Sequence, residues 1–270
     1  MAAAGEEAVA AVLAELEKLG GELSEPQRAA CDAPMVRRYL AARGGSVQKA
    51  ARMLLATLKW REEFGFGTLS IAEFSGTASL QSGRMYVAGN DPSGKSVLVT
   101  RKRADAFQPS ESASYLRYLA FTLETCARAM QGGQEKWVWL MDMRGYSRAN
   151  SPPLGVSMAT LRILADHFPE RLHRCFFIDA PSIFSFLFNA LWPFVDPVTR
   201  GKIVFINSKE HSKHVDAVAA AGSDSTQREE ALRLAADPAD PDAFCNYIRW
   251  YCAPYDEAAF RTLLQRVGWQ

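Results

Sequence analysis

The residues whose spacing most suggests chemistry are Gly89 to Ser96, GNDPSGKS, which satisfy the phosphate-binding pattern GxxxxGK[ST]. In that reading Lys95 would reach nucleotide phosphates and Asp142, closing the segment VWLMD, would hold a magnesium ion. Such a loop must open a helix, because the first amides and the dipole of that helix hold the phosphates. After Lys95 comes Ser-Val-Leu-Val-Thr, a β-branched strand pattern, and Asp91-Pro92-Ser93-Gly94 suits a tight turn between two strands. A P-loop NTPase is therefore the distant alternative. His167 and His173 flank FPERL, while His211 and His214 lie in a polar stretch. No helical HxxxH or acid cluster joins them, so no metal site is expected. Ser147 in GYSRA lacks the second glycine of a nucleophile elbow and has no identifiable histidine partner. The expectation is a protein that is not an enzyme and uses no cofactor.

The charged candidates are few. Arg101-Lys102-Arg103 reads as a solvated strand end that, at a sheet edge, could meet anionic headgroups. Formal net charge is +1, and bases do not interleave with aromatics as a nucleic-acid platform requires, so no nucleic acid partner is expected. Glu170 and Arg171 come after Pro169, directly before an apolar run, and Lys202 opens another. Taken alone, these are a helix-end charge pair and a snorkelling lysine. Taken together, they could form the polar floor of an apolar cavity, since ligand pockets are mostly apolar with a few placed polar groups.

Residues 166–207 supply the apolar part. Two runs that read as buried strands, RCFFIDA and KIVFIN, flank SIFSFLFNALWPFV. That middle segment is apolar on nearly every face, through Phe184, Phe186, Leu187, Phe188, Leu191 and Trp192 among others. A helix of this kind belongs in a core, against a membrane or against a lipid. It is shorter than the ~20 apolar residues that span a bilayer, and Pro193 and Asp196-Pro197 end it. It reads as a greasy lid over residues 182–192.

The rest of the chain must position that lid. Its 270 residues, 48% hydrophobic and 23% charged, suit one or two domains with a sizeable core. Five cysteines without a CxxC suggest reduced, mostly packed thiols and a cytoplasmic setting, and the acidic N-terminal region argues against a targeting presequence. Helical periodicity predicts helices over 6–19, closed by Gly20-Gly21, over 34–43, and from 47 after Ser46 as N-cap. After a Ser/Gly/Thr-rich connector at 75–83, strands RMYVAG and KSVLVTR, a helix over 111–131 with Ser110 as a candidate cap, the strand KWVWLMD and a helix over 156–168 alternate. That alternation predicts an α/β domain with a largely buried sheet. The expected division is a helical region 1–75, an α/β domain 76–250 and a C-terminal helical tail 251–270. Residues 208–243 read as polar and Ala-rich.

These blocks resemble the CRAL-TRIO lipid-binding proteins, particularly the phosphatidylinositol/phosphatidylcholine transfer branch. VRRYLAARGGSVQKAARMLLATLKWREEF is similar to the family's helical N-terminal region, NDPSGKSV to its D-x-x-G-[RK]-x-V hairpin, and LMDMRGYS to its D-[LM]-x-G-x-S strand end. FPERL, IDAPSIF and WPFVDPVTRGKIVFI resemble its YPERL, NAP-x-x-F and KPFLDPxTxxKIxF. The resemblance spans about residues 34–207, in order. It implies a helical bracket packed on an α/β domain, whose mixed, largely parallel sheet floors a lipid cavity under a mobile lid. It further implies a monomer that meets a membrane surface transiently as a peripheral protein. By motif, Arg61, Glu170, Arg171 and Lys202 fall at the headgroup positions of the inositol-lipid binders.

Three departures qualify what the resemblance implies. Glu62 stands where inositol-lipid members often carry a second base. Trp137 and Trp139 replace the Ser and Thr of the choline-lipid site, and Leu98 replaces its Tyr. Alternation puts 137 and 139 on one face, so two indoles would fill that headgroup pocket. The expected consequence is weak phosphatidylcholine binding, or a sterol-type ligand. The LPxxxGG segment after the last strand is missing, which leaves open a membrane or protein adaptor of the same fold.

Overall fold

A computed structural model describes residues 2–20, 22–102 and 107–270. Gly21 and Arg103, named above, lie outside the described residues. The chain divides into two compact units: Met1–Leu69 with Arg162–Glu170, and Ser70–Leu161 with Arg171–Gln270. Residues 162–170, expected from sequence in the α/β domain, thus cluster with the helical unit. The C-terminal segment 251–270 clusters with the α/β unit.

The first unit holds α1 (Ala2–Gly20), α2 (Glu25–Ala30), α3 (Ala33–Ala42) and α4 (Val47–Glu63). Val9, Val12 and Leu16 of α1 recur at helical spacing and are buried with Val36 and Tyr39 of α3 and Leu54 and Leu58 of α4. Ser46 occupies the N-cap of α4, but its hydroxyl makes no capping bond. The unforeseen α2 carries a complete capping box, Ser24 with Gln27. A polar chain crosses this core. The Tyr39 hydroxyl donates to Thr57 Oγ1 (2.9 Å), and the Thr57 hydroxyl donates to the Asp166 carbonyl (3.0 Å). His167 places Nδ1 3.0 Å from Thr57 Oγ1 and stacks on Trp60, with 3.9 Å between ring centroids.

In the second unit, short helices α5 (Ile71–Phe74) and α6 (Ala78–Gln81) replace the expected connector, α6 being capped by the Thr77 hydroxyl. Then come β1 (Met85–Asn90), β2 (Ser96–Arg101), α7 (Ser112–Arg128), β3 (Trp137–Asp142), α8 (Leu154–Arg162) and β4 (Leu172–Ile178). They are succeeded by α9 (Phe184–Leu191), α10 (Pro197–Arg200) and β5 (Ile203–Ile206). Ser110 does not cap α7; Glu111 instead turns back to accept from the Gln108 amide (2.9 Å). A π-helical turn at Ile163–His167 comes after α8. The five strands lie in the order β1-β2-β3-β4-β5, with β1–β2 antiparallel and the rest parallel. The apolar runs of β2, β3 and β4 are buried because helical crossovers cover a parallel sheet. The polar stretch after β5 folds into α11 (Ser212–Ala220) and α12 (Ser225–Ala235), and α13 (Ile248–Cys252) and α14 (Glu257–Arg266) complete the unit.

The Asp91–Gly94 turn joins β1 to β2, as the strand pattern predicts. Asp91 Oδ1 accepts from the Ser93 amide, the Ser93 hydroxyl and the Lys95 amide at 2.9, 2.7 and 2.9 Å. A carboxylate therefore fills the place a phosphate would need, and the loop leads into a strand. Both facts argue against nucleotide binding at GNDPSGKS.

Candidate functional site

Paired residues of parallel strands share a face, and successive residues alternate. One row across the sheet is therefore Leu98, Trp139, Cys175 and Ile203, and the next is Thr100, Met141, Phe177 and Phe205. Trp137 lies on this same face, two residues before Trp139. Both indoles are buried, and Trp139 Nε1 donates to Thr100 Oγ1 (2.8 Å). The face is apolar and aromatic, and Cys175 on it is a packed thiol whose pKa burial drives up.

The lid α9 lies on this face. Phe177 stacks on Phe205 (5.3 Å) and meets Phe184 (5.2 Å) and Phe188 (5.6 Å), while Phe188 meets Phe205 edge-on at 5.1 Å. Tyr146, just after β3, closes on Phe184 at 5.3 Å. The inner stripe is Phe184, Leu187, Phe188 and Leu191, at 3- and 4-residue spacing. Phe186 points outward and is 78% exposed, and Phe194 beyond the helix is 64% exposed. Of Phe186, Phe188 and Trp192, only Phe186 is turned outward, the other two being half-buried. Trp192 is half-buried against Phe188 (4.9 Å), with the Arg200 guanidinium 5.0 Å from its ring. Arg200 also donates to the Trp192 and Val195 carbonyls at 3.0 and 2.8 Å, fixing the lid's C-terminal end.

Phe177, Phe205 and Tyr146 were absent from the sequence-based site. Alternation on RCFFIDA and KIVFIN allows two faces for each strand. Only the register with Trp139 shows which phenylalanines sit under the lid.

The charged candidates are distributed between the units: Arg61 and Glu170 in the first, Arg171 and Lys202 in the second. Arg61 lies over the Phe66 ring (4.3 Å), and Glu170 adopts φ +58°. Arg171 donates to the Glu135 carbonyl (3.0 Å) at the amino-terminal edge of the sheet. Lys202 stands at the same edge, where its carbonyl accepts from the Cys175 amide (2.9 Å). The register sets Lys202 level with Arg174, and Arg171 lies roughly 10 Å further along the strand. Near Lys202, burial pushes the Asp196 carboxyl up. The Thr199 hydroxyl and amide, the Val198 amide and the Lys202 charge outweigh this and hold it below the usual carboxylate range.

In place of the missing LPxxxGG segment, the exit of β5 is tied to Asp179, the residue directly after β4. Asp179, at φ +53°, accepts from the Ser208 amide (2.7 Å) and hydroxyl (2.6 Å) and from the Tyr251 hydroxyl (3.3 Å). Among the described residues no cluster of three or more His, Cys, Asp or Glu could hold a metal ion. No described helix is long and apolar enough to cross a membrane.

The CRAL/TRIO domain model matches residues 80–219, which is just over half of the chain. A CRAL-TRIO domain-containing protein of Schizosaccharomyces pombe is 29% identical over 68% of this chain and 18% of its own length. The phosphatidylinositol transfer protein PDR17 of Saccharomyces cerevisiae is 27% identical over 62% of this chain and 50% of its own. The phosphatidylinositol/phosphatidylcholine transfer protein SFH12 of Arabidopsis thaliana is 26% identical over 69% and 37%. The chain thus spans half or less of these curated relatives. Among solved structures, that of Sfh5 superposes with TM-score 0.53 at 18% identity, covering 67% of this chain and 65% of that one, a likeness of fold. The aromatic lid on a mixed, largely parallel sheet and the match over residues 80–219 lead to one conclusion: the chain belongs to the CRAL/TRIO domain family.

Proposed function

We propose that this chain holds a single lipid against the lid face of its sheet and carries or presents it at membranes. The observation that carries the reading is the aromatic cluster of Phe177, Phe184, Phe188 and Phe205 on the sheet face that also carries Trp139, with Phe186 and Phe194 turned to solvent beside it. Each CH₂ moved from water to an apolar site is worth ~0.8 kcal/mol, so exposing a long acyl chain to water costs on the order of 10 kcal/mol. A protein that replaces the bilayer as apolar solvent removes most of that barrier without any bond being made. Phe186 and Phe194 would enter the membrane interface while Phe184 and Phe188 cover the ligand.

Phosphatidylinositol is the favoured ligand. The names of the relatives PDR17 and SFH12 support it, and Arg171 and Lys202 are the candidate cations of the second unit for its phosphate. Phosphatidylcholine is disfavoured: two buried indoles occupy that face, and the Trp139 N–H is already bonded to Thr100. A sterol-type ligand is the second reading, favoured by the same indoles. The test is transfer of labelled phosphatidylinositol, phosphatidylcholine and sterol between donor and acceptor vesicles. Transfer of phosphatidylinositol well above phosphatidylcholine supports the proposal. Transfer of sterol alone supports the second reading, and transfer of none of the three counts against both. Lys202→Ala should lower phosphatidylinositol transfer without changing the melting temperature, and an unchanged transfer rate removes Lys202 from the headgroup.

A further inference from the structure

One side chain from beyond the lid grips the lid's C-terminal end. α9 is succeeded by a 3₁₀ turn, Trp192–Phe194, and then by Asp196, which caps α10 by accepting from the Thr199 amide (2.9 Å). Arg200, the last residue of α10, reaches back. Its Nε donates to the Val195 carbonyl (2.8 Å) and its Nη2 to the Trp192 carbonyl (3.0 Å), while the guanidinium lies 5.0 Å from the centre of the Trp192 ring. Carbonyls in this position lie past the last intrahelical bond and need partners from elsewhere. Arg200 itself is anchored. Gly201 and Lys202 lead straight into β5, and the Lys202 carbonyl accepts from the Cys175 amide of β4 (2.9 Å).

The rest of the hold on α9 is uneven. At its start, Phe184 is buried and meets Phe177 and Tyr146 at 5.2 and 5.3 Å. Asp179, before it, is held at φ +53° by Ser208 and Tyr251. Further along, Leu187, Phe188 and Leu191 are only half-buried, and Phe205, the ring against Phe188, is 52% exposed. Trp192 gives its ring contact to Phe188, one turn back in the same helix, so that contact does not tie the end to the sheet. Local stability follows buried apolar contact, so the last turn of α9 is the part of the lid that opens most readily. The strong tie at that end is the pair of charge-assisted hydrogen bonds from Arg200. The link from Trp192 to Asp196 is short, so lifting the end of the helix must extend it. That extension breaks the bond from the Val195 amide to the Trp192 carbonyl (3.1 Å).

We propose that Arg200 is the latch of the lid: α9 opens from its C-terminal end, about residues 179–184, when Arg200 releases the Trp192 and Val195 carbonyls. Arg200 is a positioning residue, acting through the main chain of Trp192 and Val195. Opening at this end uncovers Phe188 and Phe205 beside β5, the last strand of the sheet, and a lipid chain would pass there. The consequence for lipid rests on the proposed function. The latch does not, because its contacts lie within the protein.

The test is hydrogen–deuterium exchange of the full chain without lipid, read residue by residue by NMR, beside vesicle-to-vesicle transfer of labelled phosphatidylinositol. Wild type is compared with Arg200→Met, which lacks both donors, and with Arg200→Lys, which keeps the charge. In Arg200→Met the Trp192 and Val195 amides should exchange about tenfold faster or more, and Arg200→Lys should fall between. The Phe184 and Ser185 amides, bonded to the Pro181 and Ser182 carbonyls, should keep wild-type rates, as should the β4 amides. Unchanged exchange at Trp192 and Val195 overturns the latch. Equal acceleration at Phe184 and Ser185 overturns opening from the C-terminal end, and equal acceleration in β4 shows a general loss of stability and overturns both. Faster exchange joined to faster transfer supports the latch and its consequence for lipid. Faster exchange with wild-type transfer supports the latch and removes lid opening as the step that limits transfer, and no transfer by wild type counts against the proposed function alone. If Arg200→Met does not fold, Arg200→Lys is judged against wild type by the same outcomes.

Discussion

At position 94 a side chain would put its Cβ 2.5 Å from the Gln131 carbonyl oxygen, at a backbone φ of +92°. The obstacle is main chain and cannot rotate away. Gly94→Ala is therefore expected to destabilise the second unit by about 1–3 kcal/mol in urea unfolding, and an unchanged midpoint would contradict this account of the turn. The glycine was legible as a turn residue from DPSG. Its close approach to residue 131 was not, because that contact is made by distant chain. His167 is a second case. Burial, aided by Arg61 and opposed by Asp166, brings its pKa from 6.5 to about 4. The unfolded chain then takes up the proton first as pH falls. Stability is complete above about 6.5 and is lost as pH drops towards 4. His167→Gln should flatten the dependence of unfolding free energy on pH within that window, and an identical slope would rule His167 out as its source. In the sequence this residue was only a histidine without metal partners. Its stacking on Trp60 pairs residues far apart in the chain, which no local pattern shows.

In the proposed function, α9 is the element on which lipid exchange turns. Its composition announced an apolar helix, and Pro193 with Asp196-Pro197 announced where it ends. Its inner and outer faces needed coordinates, because a helix apolar all round has no polar stripe to orient it. The two faces separate in experiment. Phe186→Ser removes an exposed ring, so its melting temperature should stay within about 2 °C of wild type while vesicle transfer slows. Phe188→Ala removes a ring packed on Phe177, Phe184 and Phe205, and is expected to cost about 1–3 kcal/mol of stability. Equal melting temperatures for the two variants would show that α9 does not pack as described. The strands were legible for a related reason: runs such as WVWLM and CFFI can be buried on both sides only in a covered sheet. The helices α11 and α12 were not foreseen, since their polar, Ala-rich sequence has only a weak apolar stripe, with Val218 and Ala235 alone buried within them.

For the whole molecule, the sequence blocks in their order already implied a helical N-terminal region and an α/β unit with a largely parallel sheet. The sheet's register then puts Trp139, Phe177 and Phe205 on one face, where Phe177 and Phe205 meet α9, while Arg171 and Lys202 stay at the strands' starting edge. The candidate headgroup residues were the least legible part. They are single charges in short motifs, and each also has a local role in the structure: Arg61 on Phe66, Arg171 on Glu135, Lys202 near Asp196. The central claim is that the aromatic face shelters one lipid, and native mass spectrometry tests it most directly. The protein would be exposed to liposomes of phosphatidylinositol, phosphatidylcholine and sterol, re-isolated and weighed intact. The account predicts one lipid per chain, phosphatidylinositol in preference to phosphatidylcholine, and loss of that adduct in Phe188→Asp. A chain that returns with no lipid bound, or with the same adduct in Phe188→Asp, would contradict it.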